Sequence, residues 1–306
     1  MKARLTILAL LIAAASVPAF DYAIGRVSPA DRDGRFAMYQ AMRDGTSTAP
    51  YRYRVLVPWA MSPIVRAAET LWPPAVAFHR VNMAFSFTAL VMLLWAVVRY
   101  LSNWFPTDTS LVGALLVAAT LPIMLRQHVY APYSLLEPIF FLLAFDALFR
   151  CRITLAAVLA VLASINRETG TLLAVAIAID AWRRQRSLVP ALVVGVLGVV
   201  SFVGLRVWLG DAIALTVPEI WAMNTDTEAI LASLTNALLF AGITGWALAI
   251  VGWRHAPAFV RQQWWLPVLY LPLIGVFGVW YEVRLLMPLY PWLLPAIIAA
   301  VLPVKE

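Results

Sequence analysis

Apolar residues gather into ten runs, at 4–20, 77–98, 110–125, 133–149, 153–165, 169–182, 188–208, 232–252, 264–280 and 285–303. Several are long enough to cross a bilayer as a helix. They predict an all-α, polytopic transmembrane bundle of about ten membrane segments within one integral membrane domain, residues 1–306. Residues 21–76 form the first long connection, with room for helices lying at the interface. The first run follows Met1-Lys2-Ala3-Arg4 and reads as a retained anchor. As a signal peptide it has only a loose cleavage site, Ala15-Ser16-Val17-Pro18-Ala19.

The fifth and sixth runs carry the most information. Basic clusters flank them, Arg150-Cys151-Arg152 before and Arg183-Arg184-Gln185-Arg186 after, and Asn166-Arg167-Glu168-Thr169-Gly170 interrupts the middle. As one helix, this stretch puts one basic cluster on each side of the membrane. As a hairpin, each arm is roughly 20 Å long at 1.5 Å per residue, short of the hydrocarbon thickness of about 30 Å. The hairpin keeps both clusters on one side and lifts a charged apex into the opposite half of the bilayer. Such an apex must be buried in protein or line a wet cavity.

Composition narrows the class. Hydrophobic residues make up 63% and charged residues 13%, against about 45–50% and 25% in soluble domains. A soluble globular enzyme, a disordered chain and a disulfide scaffold are excluded, the last because Cys151 stands alone. The net charge of +7 rests on 21 Arg and 2 Lys. Arginine forks suit phosphate and carboxylate, although a compositional bias of the genome gives the same excess. The arginines are spread over the ends of apolar runs, with no basic tail or helix, so nucleic acid is not the indicated partner. With the N-terminus inside, Lys2, Arg4, Arg99, the two clusters, Arg254, Arg261 and Lys305 fall in short cytoplasmic connections. The short outer connections then carry only Arg126, Arg167, Arg206 and Arg284, as the positive-inside rule expects. Both termini are then expected inside, with a bacterial cytoplasmic (inner) membrane as the expected location.

Four polar groups then face outward. The first connection contains Asp21, the triplet Asp31-Arg32-Asp33, and Tyr51-Arg52-Tyr53-Arg54. Residues 35–43 suit a short interfacial helix, and Asp33 is placed to cap it. Asp31-Arg32-Asp33 also has the form that elsewhere holds a divalent metal; a metal is compatible with the sequence but not required by it. In an extended chain Arg52 and Arg54 point the same way and can grip one phosphate beside the Tyr51 and Tyr53 rings. They serve equally as snorkelling interface anchors. The second group is Asn166, Arg167 and Glu168 at the hairpin apex, where an internal Arg–Glu pair is the plain reading. The third is Glu282 with Arg284, an interfacial ion pair on the plain reading. The fourth is Arg126 with Glu137, one turn into its helix and in range of Arg126 or His128. The three histidines share no metal-ligand spacing, and no phosphate-binding loop or nucleophile elbow is present.

An enzyme on the outer face has no access to cytosolic nucleotides, so its activated substrate must arrive through the membrane. Lipid-linked sugar phosphates meet that need. A carboxylate takes the proton of an acceptor hydroxyl, and arginines offset charge on the departing phosphate. The early acidic loop, the short hairpin with an arginine apex, and the runs Asp33-Gly34-Arg35-Phe36, Pro50-Tyr51-Arg52-Tyr53-Arg54 and Asn166-Arg167-Glu168-Thr169-Gly170 resemble the C-type (GT-C) membrane glycosyltransferases. The likeness covers roughly residues 1–210. It implies a GT-C-like fold, a polyprenyl-phosphate sugar as donor and an extracytoplasmic glycan, lipid or protein as acceptor. It further implies Asp33, or Asp31 or Asp21, as the base, with Arg52, Arg54 and Arg167 facing donor phosphate. The chain is short for that group, and within these residues no soluble outer domain follows the last apolar run. An oligosaccharide polymerase or ligase is the second enzymatic reading. A transporter or flippase of a lipid-linked substrate is the alternative without chemistry.

Overall fold

The computed structural model describes residues 2–21, 27–125, 130, 132–210, 216–280 and 282–304. Arg126 and His128, named above, lie outside the described residues, as do Tyr281 and Lys305. Among the described residues the chain is all-helical. In order the helices are α1 (Lys2–Phe20), α2 (Pro29–Arg43), α3 (Leu56–Glu69), α4 (Pro74–Leu101), α5 (Thr107–Met124), α6 (Tyr133–Phe149) and α7 (Ile153–Asn166). There follow α8 (Leu172–Arg183), α9 (Val189–Leu209), α10 (Val217–Thr225), α11 (Thr227–Gly252), α12 (Ala258–Gln262), α13 (Trp265–Phe277) and α14 (Tyr290–Ala299).

All ten apolar runs fall on helical segments, the last on a 3-10 stretch, Val283–Leu289, running into α14. Not all of these segments are long enough to cross a bilayer. Among the described residues four segments are long and apolar enough to span a bilayer: α4, α5, α9, and α11 with its following turn, Thr227–His255. Leu8–Phe20, Ile153–Asn166, Trp265–Phe277 and Val283–Ala299 are apolar but shorter. These helices point to a membrane protein.

Burial sorts the helices. Every residue of α14 is buried, with α4, α5, α6 and α11 around it. At α9 only 11% of the most apolar window is buried. A helix that apolar and that uncovered suits lipid rather than water. Helix α11 breaks at Gly242, where φ is +69° and ψ 154°. Glycine alone takes that conformation at no steric cost. The Trp246 indole N–H donates to the Ala237 carbonyl at 2.7 Å, satisfying an acceptor near the break.

The two ends of the bundle are chemically different. At one, buried Asp146 accepts from Arg99 (2.9 Å), Arg150 (2.8 Å) and Asn103 (2.9 Å). Arg184 bonds Asp180 at 2.7 Å and reaches the Cys151 sulfur at 2.8 Å. That last contact closes α7 and α8 into a hairpin, with both basic clusters at one end. At the other end α2 and α3 fold over α4 and α6. Tyr39, Met42, Val57, Met61 and Val65 pack there against Phe78, Tyr130 and Tyr133. Both short helices bury one stripe, at Arg35, Tyr39 and Met42 in α2 and Val57, Met61 and Val65 in α3, the spacing of an amphipathic helix.

Two local expectations are overturned here. Asp33 does not cap α2. The helix begins earlier, at Pro29, and the Ser28 hydroxyl caps it by accepting from the Asp31 N–H at 3.2 Å. Serine at N-cap with proline at N1 is the stronger start signal. Nor is Tyr51-Arg52-Tyr53-Arg54 extended. Residues Tyr51–Tyr53 form a 3-10 turn, with the Tyr53 N–H on the Pro50 carbonyl at 3.2 Å. Arg52 and Arg54 therefore take different partners.

Candidate functional site

The α7–α8 hairpin turns over so tightly that a Cβ on Gly170 would lie 2.2 Å from the Ala163 carbonyl carbon. The turn presents Arg167, Glu168 and Thr169 in succession, and they part company. The Arg167 guanidinium donates to Glu137 of α6 at 2.5 Å, and the Thr169 hydroxyl donates to the other oxygen of the same carboxylate. Glu168 points the other way and accepts from Arg54 at 3.3 Å. The expected pair within the turn is thus replaced by two pairs to other segments. Glu137 takes Arg167 as a partner; the 126–128 stretch, its other expected source of a partner, lies outside the described residues. Asn166, fully buried, donates to the Tyr133 carbonyl at 2.9 Å and locks the start of α6 onto the hairpin.

Arg54 sits over the Tyr133 ring at 4.6 Å and the Tyr51 ring at 5.8 Å. Burial works against its charge, but the Glu168 carboxylate and Tyr133 together raise the guanidinium above its ordinary range. Burial likewise raises the Tyr51 phenol. Tyr51 is also within electrostatic reach of Glu282 and Arg284, which pair with each other at 3.0 Å. The Tyr270 hydroxyl, on the Leu285 carbonyl at 2.7 Å, is within the same reach of Glu137 and Arg167. One end of the bundle therefore gathers Tyr51, Arg54, Glu137, Asn166, Arg167, Glu168, Glu282 and Arg284.

Three buried polar atoms in this group have no hydrogen-bond partner among the described residues: Arg167 Nε, Glu168 Oε1 and Asn166 Oδ1. Buried polar atoms are ordinarily satisfied. Here three fall on successive residues of the hairpin apex.

The last turn of α9 borders the group. Arg52 donates to the Ser47, Leu209 and Gly210 carbonyls, and the Tyr53 hydroxyl donates to the Gly210 carbonyl at 3.1 Å. Above the Tyr53 ring lies Arg206, at 4.3 Å, and its guanidinium also covers Phe202 at 3.4 Å. Arg206 is within electrostatic reach of Glu168. Among the described residues no carboxylate pairs with it. In the sequence Arg206 reads as an orientation charge, because it ends an apolar run. Its two-residue offset from Trp208 in an aromatic-rich helix end was the available hint.

No known protein family matches the chain, and no curated protein or solved structure matches it either. The site must be judged on its own chemistry.

Of the three acids expected as bases, two are exposed. Asp21 is exposed at the end of α1. Asp31 accepts from the Ser28 hydroxyl at 2.6 Å. Asp33 is exposed on α2, with His79 in electrostatic reach. Among the described residues no hydrogen bond or ion pair joins Asp33 to Arg54, Arg167 or Glu168, and no three His, Cys, Asp or Glu side chains come together as a metal site.

Proposed function

We propose that this chain is a membrane glycosyltransferase that moves a sugar from a polyprenyl-phosphate carrier to an acceptor hydroxyl on the extracytoplasmic side. The reading is carried by one juxtaposition. Among the described residues Glu168 keeps an oxygen without a partner, and Arg206, which no carboxylate there engages, lies within its electrostatic reach. An acid able to take a proton beside a cation able to meet phosphate is what this transfer requires.

In this scheme the acceptor O–H gives its proton to Glu168 Oε1 as its oxygen bonds to the anomeric carbon. The bond from that carbon to the phosphate oxygen breaks, and the phosphate keeps the electron pair facing Arg206. Arg54 holds Glu168 in place, and the Arg167–Glu137 pair holds the apex that carries it. The uncovered flank of α9 runs up to and past Arg206 and offers the prenyl chain an apolar path. Glu168 takes the base role in place of Asp33, because it combines a buried orphan oxygen with neighbouring arginines.

A radiolabel transfer assay tests the proposal, using purified protein in lipid nanodiscs, a panel of polyprenyl-phosphate sugars and simple acceptors. Transfer that is lost in Glu168→Gln supports it. Absence of transfer from every donor by well-folded protein sinks it.

The break at Gly242 favours a second reading, a transporter or flippase of the same kind of lipid. Discontinuous helices recur at the binding sites of transporters. Movement of labelled lipid-linked sugar across sealed proteoliposomes, with no sugar transferred, would select it.

A further inference from the structure

A cavity of about 890 Å³ opens at the Asp146 end, opposite the site above. Its walls come from the loop after α4, the end of α6, the turn joining α11 to α12, and the stretch after α14. Trp104, Phe149 and Phe259 line its floor, with ring centroids 4.9 Å apart for Trp104–Phe149 and 5.6 Å for Phe149–Phe259. Arg254, His255 and Arg261 stand on its rim, all exposed. No acidic residue is among its described lining.

The charges at this end are unevenly matched. Buried Asp146 and Asp180 are taken by Arg99, Arg150 and Arg184. Arg254 and Arg261 enter no ion pair among the described residues, and Asp108, exposed at the start of α5, is not part of the cavity lining. Two free guanidinium groups and an imidazole over an aromatic floor make an amphipathic cavity, cationic at the rim and apolar below. Phosphate oxygens suit the guanidinium forks, and an acyl or other apolar group suits the rings beneath.

We propose that this cavity binds a phosphate monoester anion, with Arg254 and Arg261 gripping the phosphate and Trp104 and Phe149 seating the apolar part. Two sources share that chemistry: the headgroup of an anionic phospholipid and a free phosphate-bearing solute. The site stands independently of the transfer reaction, from which the whole bundle separates it.

Native mass spectrometry of the full chain, released from nanodiscs of phosphatidylcholine with added phosphatidic acid, tests it. The expected result is one retained phosphatidic acid, reduced roughly tenfold or more in Arg254→Gln/Arg261→Gln and unchanged in Arg186→Gln, an exposed arginine outside the cavity. If soluble inorganic phosphate at millimolar concentration displaces the lipid or raises the thermal midpoint by itself, the solute is the source. If only the lipid is retained, the headgroup is. Equal loss in Arg186→Gln, or equal retention of phosphatidylcholine and phosphatidic acid by the unaltered protein, overturns the proposal. The second comparison needs no variant, so it decides even if the double variant fails to fold.

Discussion

Arg54 and Glu168 stand 114 residues apart in the chain and 3.3 Å apart in the fold. Their contact ties the first long connection to the hairpin apex, so the pair is both a clasp and the proposed reaction centre. Glu168→Gln keeps the shape of the side chain and removes its basicity. Transfer should fall by about 100-fold or more, the usual scale for a lost general base. Asp33→Asn, on exposed α2, should leave transfer unaltered. Measured initial rates in the reverse order would return the base role to Asp33.

Glu137 and Arg167 are a different case, because both are almost fully buried, with 1% and 6% of their side chains exposed. Removing one partner strands a charge in apolar surroundings. Glu137→Gln should therefore destabilise the fold by about 3–5 kcal/mol. Replacing both, as in Glu137→Leu with Arg167→Met, should cost less than the single change. Unfolding in detergent, followed by tryptophan fluorescence, gives both numbers; a double variant weaker than the single would refute the pairing argument.

Backbone proximity sets up a contrast between two glycines. Gly170→Ala would force a methyl group into the Ala163 backbone, and a loss of about 1–3 kcal/mol is expected for such overpacking. Nothing lies within 4 Å of the corresponding point on Gly204 in α9. Gly204→Ala should be neutral or stabilise by up to about 1 kcal/mol, the helix preference of alanine. The same fluorescence measurement separates them.

The hairpin also fixes which residues share a side of the membrane. Exposed Cys151 lies at the Asp146 end, and Thr48, exposed, belongs to the opposite end beside Arg52. An impermeant maleimide should label native Cys151 from one face of sealed vesicles, and Thr48→Cys in a Cys151→Ser background from the other. Labelling of both from one face would contradict the up-and-down path of α4, α6, α7 and α8.

Much of the helical pattern is legible in the sequence, for a physical reason. A long apolar run has few ways to satisfy its backbone away from water, and the helix is the local one. The i,i+4 pairs Asp146–Arg150 and Asp180–Arg184 are legible on the same ground, since both partners sit on one helix face. Partners across helices are not. Whether Arg167 meets Glu168 next door or Glu137 on α6 depends on which helices are neighbours and in what register. The extended reading of Arg52 and Arg54 failed because three residues of turn reverse the direction of alternate side chains. Arg206 escaped notice because its role comes from Tyr53, brought to it by the docking of α9 on the first connection.

Helix α14 is enclosed along its whole length, yet it follows thirteen others in the chain. Earlier helices can settle into lipid as they are made, but they surround an empty slot until Tyr290–Ala299 arrives to fill it. Assembly therefore has a built-in checkpoint. A chain interrupted before residue 290 would carry most of the helices and none of the axle on which they bear.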